Sequence, residues 1–129
     1  MATFKLTAEN LNSSIQDNDC LIIDFWASWC GPCVRFAPTF EAVSTQYPDV
    51  AFAKCDTEAQ QEVAAHFGIR SIPTIAIFRE QVLVYFQPGA MMEPQFKNII
   101  DQVLALNMEE VHAEIAAEKA KGDAEPKEG

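Results

Sequence analysis

Cysteine is scarce in this chain, with four among 129 residues, at positions 20, 30, 33 and 55. So few, so unevenly spaced, exclude a disulfide-stapled scaffold. None is needed, because a chain of this length forms one domain that buries roughly two-thirds of its unfolded surface. Basic residues are also few: nine Lys and Arg stand against nineteen Asp and Glu, a net charge of −10. That balance argues against nucleic acid and anionic membrane as partners. No apolar run approaches the ~18 residues of a membrane span. The opening Met1-Ala2-Thr3-Phe4-Lys5 lacks the charged-then-apolar profile of a secretory signal. No internal repeat is present. These absences point to a reducing, cytoplasmic setting, where paired cysteines are catalytic or metal-bound rather than structural. The sequon Asn12-Ser13-Ser14 has no consequence without secretion.

What is present is Cys30-Gly31-Pro32-Cys33, preceded by Trp29 and by the apolar run Leu21-Ile22-Ile23-Asp24-Phe25-Trp26-Ala27. Two cysteines at this spacing can close a small disulfide ring or hold a metal. Where a strand hands over to a helix, the first cysteine faces the unpaired N–H groups of the helix N-terminus, which carry roughly half a positive charge. That field stabilises a thiolate, the reactive form of cysteine, and the strand–motif–helix order reads as a dithiol redox site. Cys30 is then the nucleophile and Cys33, one turn further in, the resolving thiol. Zinc would require a second ligand pair; Cys20, Cys55, His66 and His112 do not supply one at ligand spacing. Cys20 and Cys55 read as inert buried thiols.

Periodicity gives the surrounding elements. Residues 3–6 form a short strand, and Thr7 caps a helix over about 8–16. Residues 21–27 are apolar on both faces, the pattern of a central, doubly covered strand. A helix from 31 to 47 carries Phe36, Phe40, Val43 and Tyr47 on one face, with Pro38 inside it as a kink. Residues 50–55 are a second buried strand. Thr57 and Gln60 form a capping box opening a helix that ends at Gly68. Residues 74–78 and 82–87 make a hairpin, and Pro94 opens a helix with the stripe Phe96, Ile99, Ile100, Val103, Leu104. The order β-α-β-α-β-α-β-β-α predicts an α/β domain, a mixed sheet with helices on both faces. Residues 107–129 differ, with seven Asp and Glu against three Lys. Asn107 and Glu110 start a further helix there, and from Gly122 the composition predicts disorder.

Over residues 3–106 the chain resembles the thioredoxin family. Asp24-Phe25-Trp26-Ala27-Ser28-Trp29-Cys30-Gly31-Pro32-Cys33 is similar to its active-site segment, and Phe67-Gly68-Ile69-Arg70-Ser71-Ile72-Pro73-Thr74 to its cis-proline segment. Pro88-Gly89-Ala90 is similar to its third substrate-facing loop. The resemblance implies a thioredoxin-like three-layer domain over residues 1–106, a five-stranded mixed sheet in the order 1-3-2-4-5, and strands 4 and 5 antiparallel to the rest. It implies a cis bond before Pro73, an apolar substrate surface from Trp29, Ile72, Gly89 and Ala90, and packing by Trp26 beneath the site. It further implies protein disulfides as substrates, no bound cofactor beyond the Cys30–Cys33 disulfide, and re-reduction by a flavin- and NADPH-dependent thioredoxin reductase. Two departures stand out: Arg79-Glu80-Gln81 lacks the glycine often found in that turn, and Met92 occupies a position where Ser or Thr commonly caps the next helix.

Gly31-Pro32 bears on the direction of the chemistry. Pro32 adds neither a hydrogen-bond donor nor a charge beside the Cys30 thiolate, whereas a histidine there would stabilise the reduced form and favour an oxidant. Its absence argues for a reductant, against an isomerase or oxidase. Asp24, a carboxylate amid apolar residues, is costly to bury and would have a raised pKa. It is a candidate base for the Cys33 thiol. Lys54, on the neighbouring strand by resemblance, is its candidate partner; the alternative for this pair is packing alone. A different class of function is an interaction module whose acidic extension, residues 107–129, docks another protein.

Overall fold

A computed structural model describes residues 3–124. Ten elements follow in order: β1 (Thr3–Lys5), α1 (Leu11–Gln16), β2 (Cys20–Trp26), α2 (Gly31–Ser44), β3 (Ala51–Asp56), α3 (Gln61–His66), β4 (Thr74–Arg79), β5 (Val82–Pro88), α4 (Glu93–Leu104) and α5 (Met108–Ala124). The sheet order is β1-β3-β2-β4-β5, as the resemblance implies. β1 and β2 run parallel to β3, while β4 is antiparallel to β2 and β5 antiparallel to β4. Only β4 therefore opposes the rest. The expectation that strands 4 and 5 both do so is corrected, because a two-residue hairpin must turn β5 back into the direction of β1–β3.

β2 lies at the centre and is buried along nearly its whole length. Alternate residues of a strand face opposite sides, and β2 splits its side chains between two cores. Leu21, Ile23 and Phe25 join Ala53, Cys55 and Val63 on the side of α1 and α3. Cys20 and Ile22 join Phe36, Phe40, Val43, Phe96, Ile100 and Val103 on the side of α2 and α4. Four phenylalanines anchor this second core: Phe40 stacks on Phe96 at 5.8 Å and meets Phe52 edge-on at 5.4 Å, and Phe36 meets Phe96 at 5.5 Å. Each such pair is worth about 0.5–1.5 kcal/mol beyond the area it buries. The apolar stripes read from the sequence meet here, except that Leu104 is exposed and lies outside this core.

Helix starts diverge from expectation more than helix faces do. Thr7 does not cap α1 directly. It exchanges hydrogen bonds with Asn10, Thr7 N donating to Asn10 Oδ1 at 2.8 Å and Asn10 N to Thr7 Oγ1 at 3.3 Å, so the helix begins at Leu11. The box of Thr57 and Gln60 does not form either. Thr57 Oγ1 donates to Trp26 O, Gln60 Oε1 accepts from Ala8 N, and the free N–H groups of Glu58 and Ala59 turn to Asp56 Oδ1. Both polar side chains found partners across the fold that local sequence does not show. α2 continues through Pro38 and stops at Ser44, short of Tyr47. Gly68 ends α3 in the left-handed region, φ 64°. At α4, Gln95 Oε1 accepts from Met92 N at 3.2 Å, which compensates for the missing Ser or Thr.

The β4–β5 turn resolves the other departure. Glu80 and Gln81 both have positive φ, 48° and 70°, the mirror-image turn that matches strand twist and normally recruits Asn or Gly. Left-handed backbone costs a residue with a side chain roughly 1–2 kcal/mol, and the network around Glu80 offsets it. Glu80 Oε1 lies 2.9 Å from His112 Nε2, and Glu80 N donates to Asp19 O at 2.8 Å. Arg79 pairs with Asp19 at 3.2 Å and Glu80 at 3.7 Å, and its Nη1 donates to Val103 O at 2.8 Å.

α5 starts where Asn107 Oδ1 accepts from Glu110 N, as the sequence predicts. Met108 is buried and Val111 half-buried, whereas residues 112–121 are exposed. The helix reaches Ala124, past Gly122 where the composition predicts disorder to begin; that expectation for residues 125–129 lies outside the described residues.

Candidate active site

The site begins at the C-terminal end of β2, where Ala27, Ser28 and Trp29 lead into α2. Cys30 is the N-cap of α2, with extended backbone (φ −87°, ψ 110°), and its Sγ accepts from Cys33 N at 3.2 Å. The sulfur thus takes the place of a capping oxygen. Pro32 sits in the first turn, where its missing N–H costs nothing. Once the disulfide opens, the same N–H and the helix end favour a negative sulfur. Cys30 and Cys33 are joined, their Cα atoms 5.2 Å apart. Cys30 retains 5% exposure and Cys33 1%, in the order expected of nucleophile and resolving thiol.

One loop meets Cys30 from the sheet, and a second braces that loop. The Ile72–Pro73 peptide is cis, and Ile72 O lies 3.6 Å from Cys30 Sγ. Gly89 N donates to Pro73 O at 2.8 Å, and Gly89 holds φ 112°, a conformation that excludes a side chain. Ala90 follows and is exposed. Trp29 stands beside the cysteines, 69% exposed, with its Nε1 donating to Glu58 Oε1 at 2.5 Å. The structure brings together the sequence-selected Trp29, Cys30, Cys33, Ile72, Pro73 and Gly89. Glu58 was not legible beforehand, since it lies 29 residues from its partner and belongs to no motif.

Asp24 is 1% exposed, and among the described residues neither carboxylate oxygen has a hydrogen-bond partner. By the alternation of β2 it shares a side with Ile22, the side covered by α2. Burial pushes its pKa up to about 7 from an ordinary 3.8, and the charge of Lys54 opposes that rise only in part. Lys54 is aligned with Asp24 across β2 and β3, yet its Nζ sits 4.8 Å above the Trp26 ring. No salt bridge joins it to Asp24 among the described residues. A cation on an indole face gains about 0.5–2 kcal/mol and remains partly hydrated. The carboxyl is therefore left able to take and release a proton near neutral pH.

Cys20 and Cys55 are free and buried. Burial pushes both thiols up to about 11, leaving them protonated and unreactive near neutral pH. Among the described residues no group of three or more His, Cys, Asp or Glu is placed to hold a metal ion, and no helix is long and apolar enough to cross a membrane.

A sequence model described as thioredoxin matches residues 2–102. A Streptomyces coelicolor protein provisionally named thioredoxin 2 is 48% identical over 120 residues, covering 93% of this chain and 90% of the relative. Thioredoxin 1 of Synechococcus elongatus is 41% identical over 104 residues, covering 80% and 92%. Among solved structures, a mutant thioredoxin from Halobacterium salinarum superposes with a TM-score of 0.75 at 31% identity, covering 81% of this chain and 92% of that one.

Proposed function

The chain belongs to the thioredoxin family and is a thiol–disulfide oxidoreductase, and from that premise we propose that it works as a reductant of protein disulfides in the cytoplasm. In the reduced form the Cys30 thiolate attacks one sulfur of a partner's disulfide. The partner's other sulfur leaves as a thiolate and takes up a proton, and a mixed disulfide joins Cys30 to the partner. Cys33 then loses its proton to the Asp24 carboxylate and attacks Cys30 Sγ. The Cys30–Cys33 bond forms, the bond to the partner breaks, and the partner's second sulfur leaves reduced. Two electrons have passed from the chain to the partner. A flavin enzyme drawing on NADPH, a thioredoxin reductase, is the class of donor that restores the dithiol.

Trp29, Ile72, Pro73, Gly89 and Ala90 form the surface on which the partner's segment lies. Ile72 offers backbone to an extended chain, as in strand addition, while Trp29 excludes water. Gly31 and Pro32 hold the first turn without donating to the Cys30 thiolate. Lys54 is a positioning residue that biases Asp24 through its charge. The observation that carries this reading is the sulfur of Cys30 capping α2, with Ile72 O at 3.6 Å.

The test is a pair of variants and one equilibrium. Cys30→Ser loses protein-disulfide reduction by roughly three orders of magnitude or more, as expected for removal of a nucleophile. Cys33→Ser accumulates partners as mixed disulfides on Cys30. Equilibration with glutathione leaves the chain the stronger reductant of the two. No trapped species with Cys33→Ser, or a potential well above that of glutathione, defeats the proposal.

A further inference from the structure

The charge of this molecule is unevenly spread, and the exception lies at the cysteines. Acidic residues outnumber basic ones by nineteen to nine, yet among the described residues no carboxylate lines the groove of about 380 Å³ that runs beside the site from Trp29 to Ile72. Its walls are apolar or neutral, among them Ile69, Ala64 and Gln61, and its one charged member is Arg70. Glu58 stands at the edge of this groove, outside its lining, and accepts from the Trp29 indole. A second guanidinium flanks the motif itself. Arg35, one turn into α2, folds back so that its Nη1 would lie 3.2 Å from a Cβ placed on Gly31. Both arginines are exposed, and among the described residues neither has a carboxylate within salt-bridge distance.

Two unpaired guanidinium groups beside a reactive sulfur, in a protein rich in carboxylates of its own, are a complement without a partner. Arginine presents a planar fork that takes a carboxylate in two parallel hydrogen bonds. We propose that Arg70 and Arg35 select disulfides flanked by Asp or Glu, with Arg70 receiving a carboxylate about two residues from the attacked cysteine. The distance follows from the chain: Arg70 lies two residues before Ile72, whose carbonyl is at Cys30, and an extended partner advances roughly 3.3 Å per residue. Charge complementarity of this kind acts chiefly on encounter rate and is weakened by salt. The rest of the acidic surface adds negative selection, repelling acidic partners that approach anywhere else. This inference rests on the partner surface proposed above.

The experiment uses the full-length reduced chain and three synthetic peptides, each carrying one cysteine in mixed disulfide with a neutral thiol. The residue two positions to either side of that cysteine is Glu, Gln or Lys. Second-order rates of reduction at low salt rank Glu above Gln above Lys, with roughly a tenfold span that shrinks toward twofold at about 0.5 M salt. Arg70→Glu inverts the ranking, and Arg35→Gln narrows it by roughly half. Ratios among peptides within one variant cancel any shared loss of folding or chemistry, and Arg70→Gln flattens the ranking should Arg70→Glu not fold. Equal rates for the three peptides with the wild type, or a Glu preference untouched by both arginine substitutions, overturn the inference alone. Failure of the wild type to reduce any of them overturns the proposed function instead.

Discussion

Two charged side chains are buried along the central strands, and the fold treats them in opposite ways. Arg79, at the end of β4, is held by Asp19, by Glu80 and by the carbonyl of Val103. Asp24, in the middle of β2, is more deeply buried, and among the described residues its oxygens meet no donor. A buried charge with ion-pair and carbonyl partners ties elements together, here the α1–β2 turn, the hairpin and the end of α4. A buried carboxyl without them gains nothing for stability, because desolvation is uncompensated. Its pKa moves instead, to about 7, where a proton can be exchanged during a reaction. The hairpin end of the sheet is thus built for cohesion and the cysteine end for chemistry. The cysteines follow the same division: Cys20, aligned with Arg79, stays a protonated thiol, while Cys30 caps a helix.

Removing the unpaired charge tests this contrast most strongly. Asp24 keeps its proton up to about pH 7 in the folded chain but releases it near pH 3.8 when unfolded. Between those values the folded state binds more protons, so stability falls as pH rises from about 4 to about 7, and the penalty is full above 7. Asp24→Asn lifts it. The variant gains on the order of 2–4 kcal/mol at pH 8 and nothing below about pH 4, measured by urea unfolding across pH. Its exchange rate near pH 7 drops about tenfold and loses the rise between pH 6 and 8 that ionisation of Asp24 predicts for the wild type. Equal rates in both proteins over that range would take Asp24 out of the mechanism.

Arg79→Ala should do the reverse, losing about 2–3 kcal/mol of stability because a buried carbonyl and two carboxylates lose their donor. Disulfide reduction by the folded fraction keeps its wild-type rate, and a fall in that rate with stability intact would erase the distinction between the two ends. A smaller effect follows from ending the chain after Leu106. This strips away buried Met108 and the contact of His112 with Glu80, for a loss of about 1–2 kcal/mol. Disulfide reduction that survives while a bound protein is lost would identify α5 as a docking element. The smallest change is at the turn. Gln81→Gly relieves a left-handed residue at φ 70° and stabilises by about 0.5–1 kcal/mol, read as a rise in Tm. A fall would mean that the Gln81 side chain, not its backbone, holds the turn.

Much of this was legible in the residues. The run from Leu21 to Ala27, apolar on both faces, announced the central strand, and Cys30-Gly31-Pro32-Cys33 behind it announced the site. The stripes of α2 and α4 found each other because apolar periodicity survives any detail of the loops. Caps and pairings were not legible. Thr57 and Gln60 match a capping box locally, yet Trp26 O and Ala8 N offered better partners from elsewhere in the fold. Lys54 is aligned with Asp24 on the neighbouring strand as expected, but the position of its Nζ over the Trp26 ring was not legible.

By itself the sequence determined what depends on neighbours along the chain: strand and helix periodicity, a thiol pair one helical turn apart, and a carboxylate set among apolar residues. The tertiary structure alone decided what depends on distance in space. Among the described residues it left Asp24 without a donor, gave Arg79 three partners, joined Trp29 to Glu58, and placed no carboxylate in the lining of the groove beside Cys30. The reason is physical: hydrophobic patterning is additive and local, whereas hydrogen bonds and charges are satisfied by whichever partner packing brings within reach.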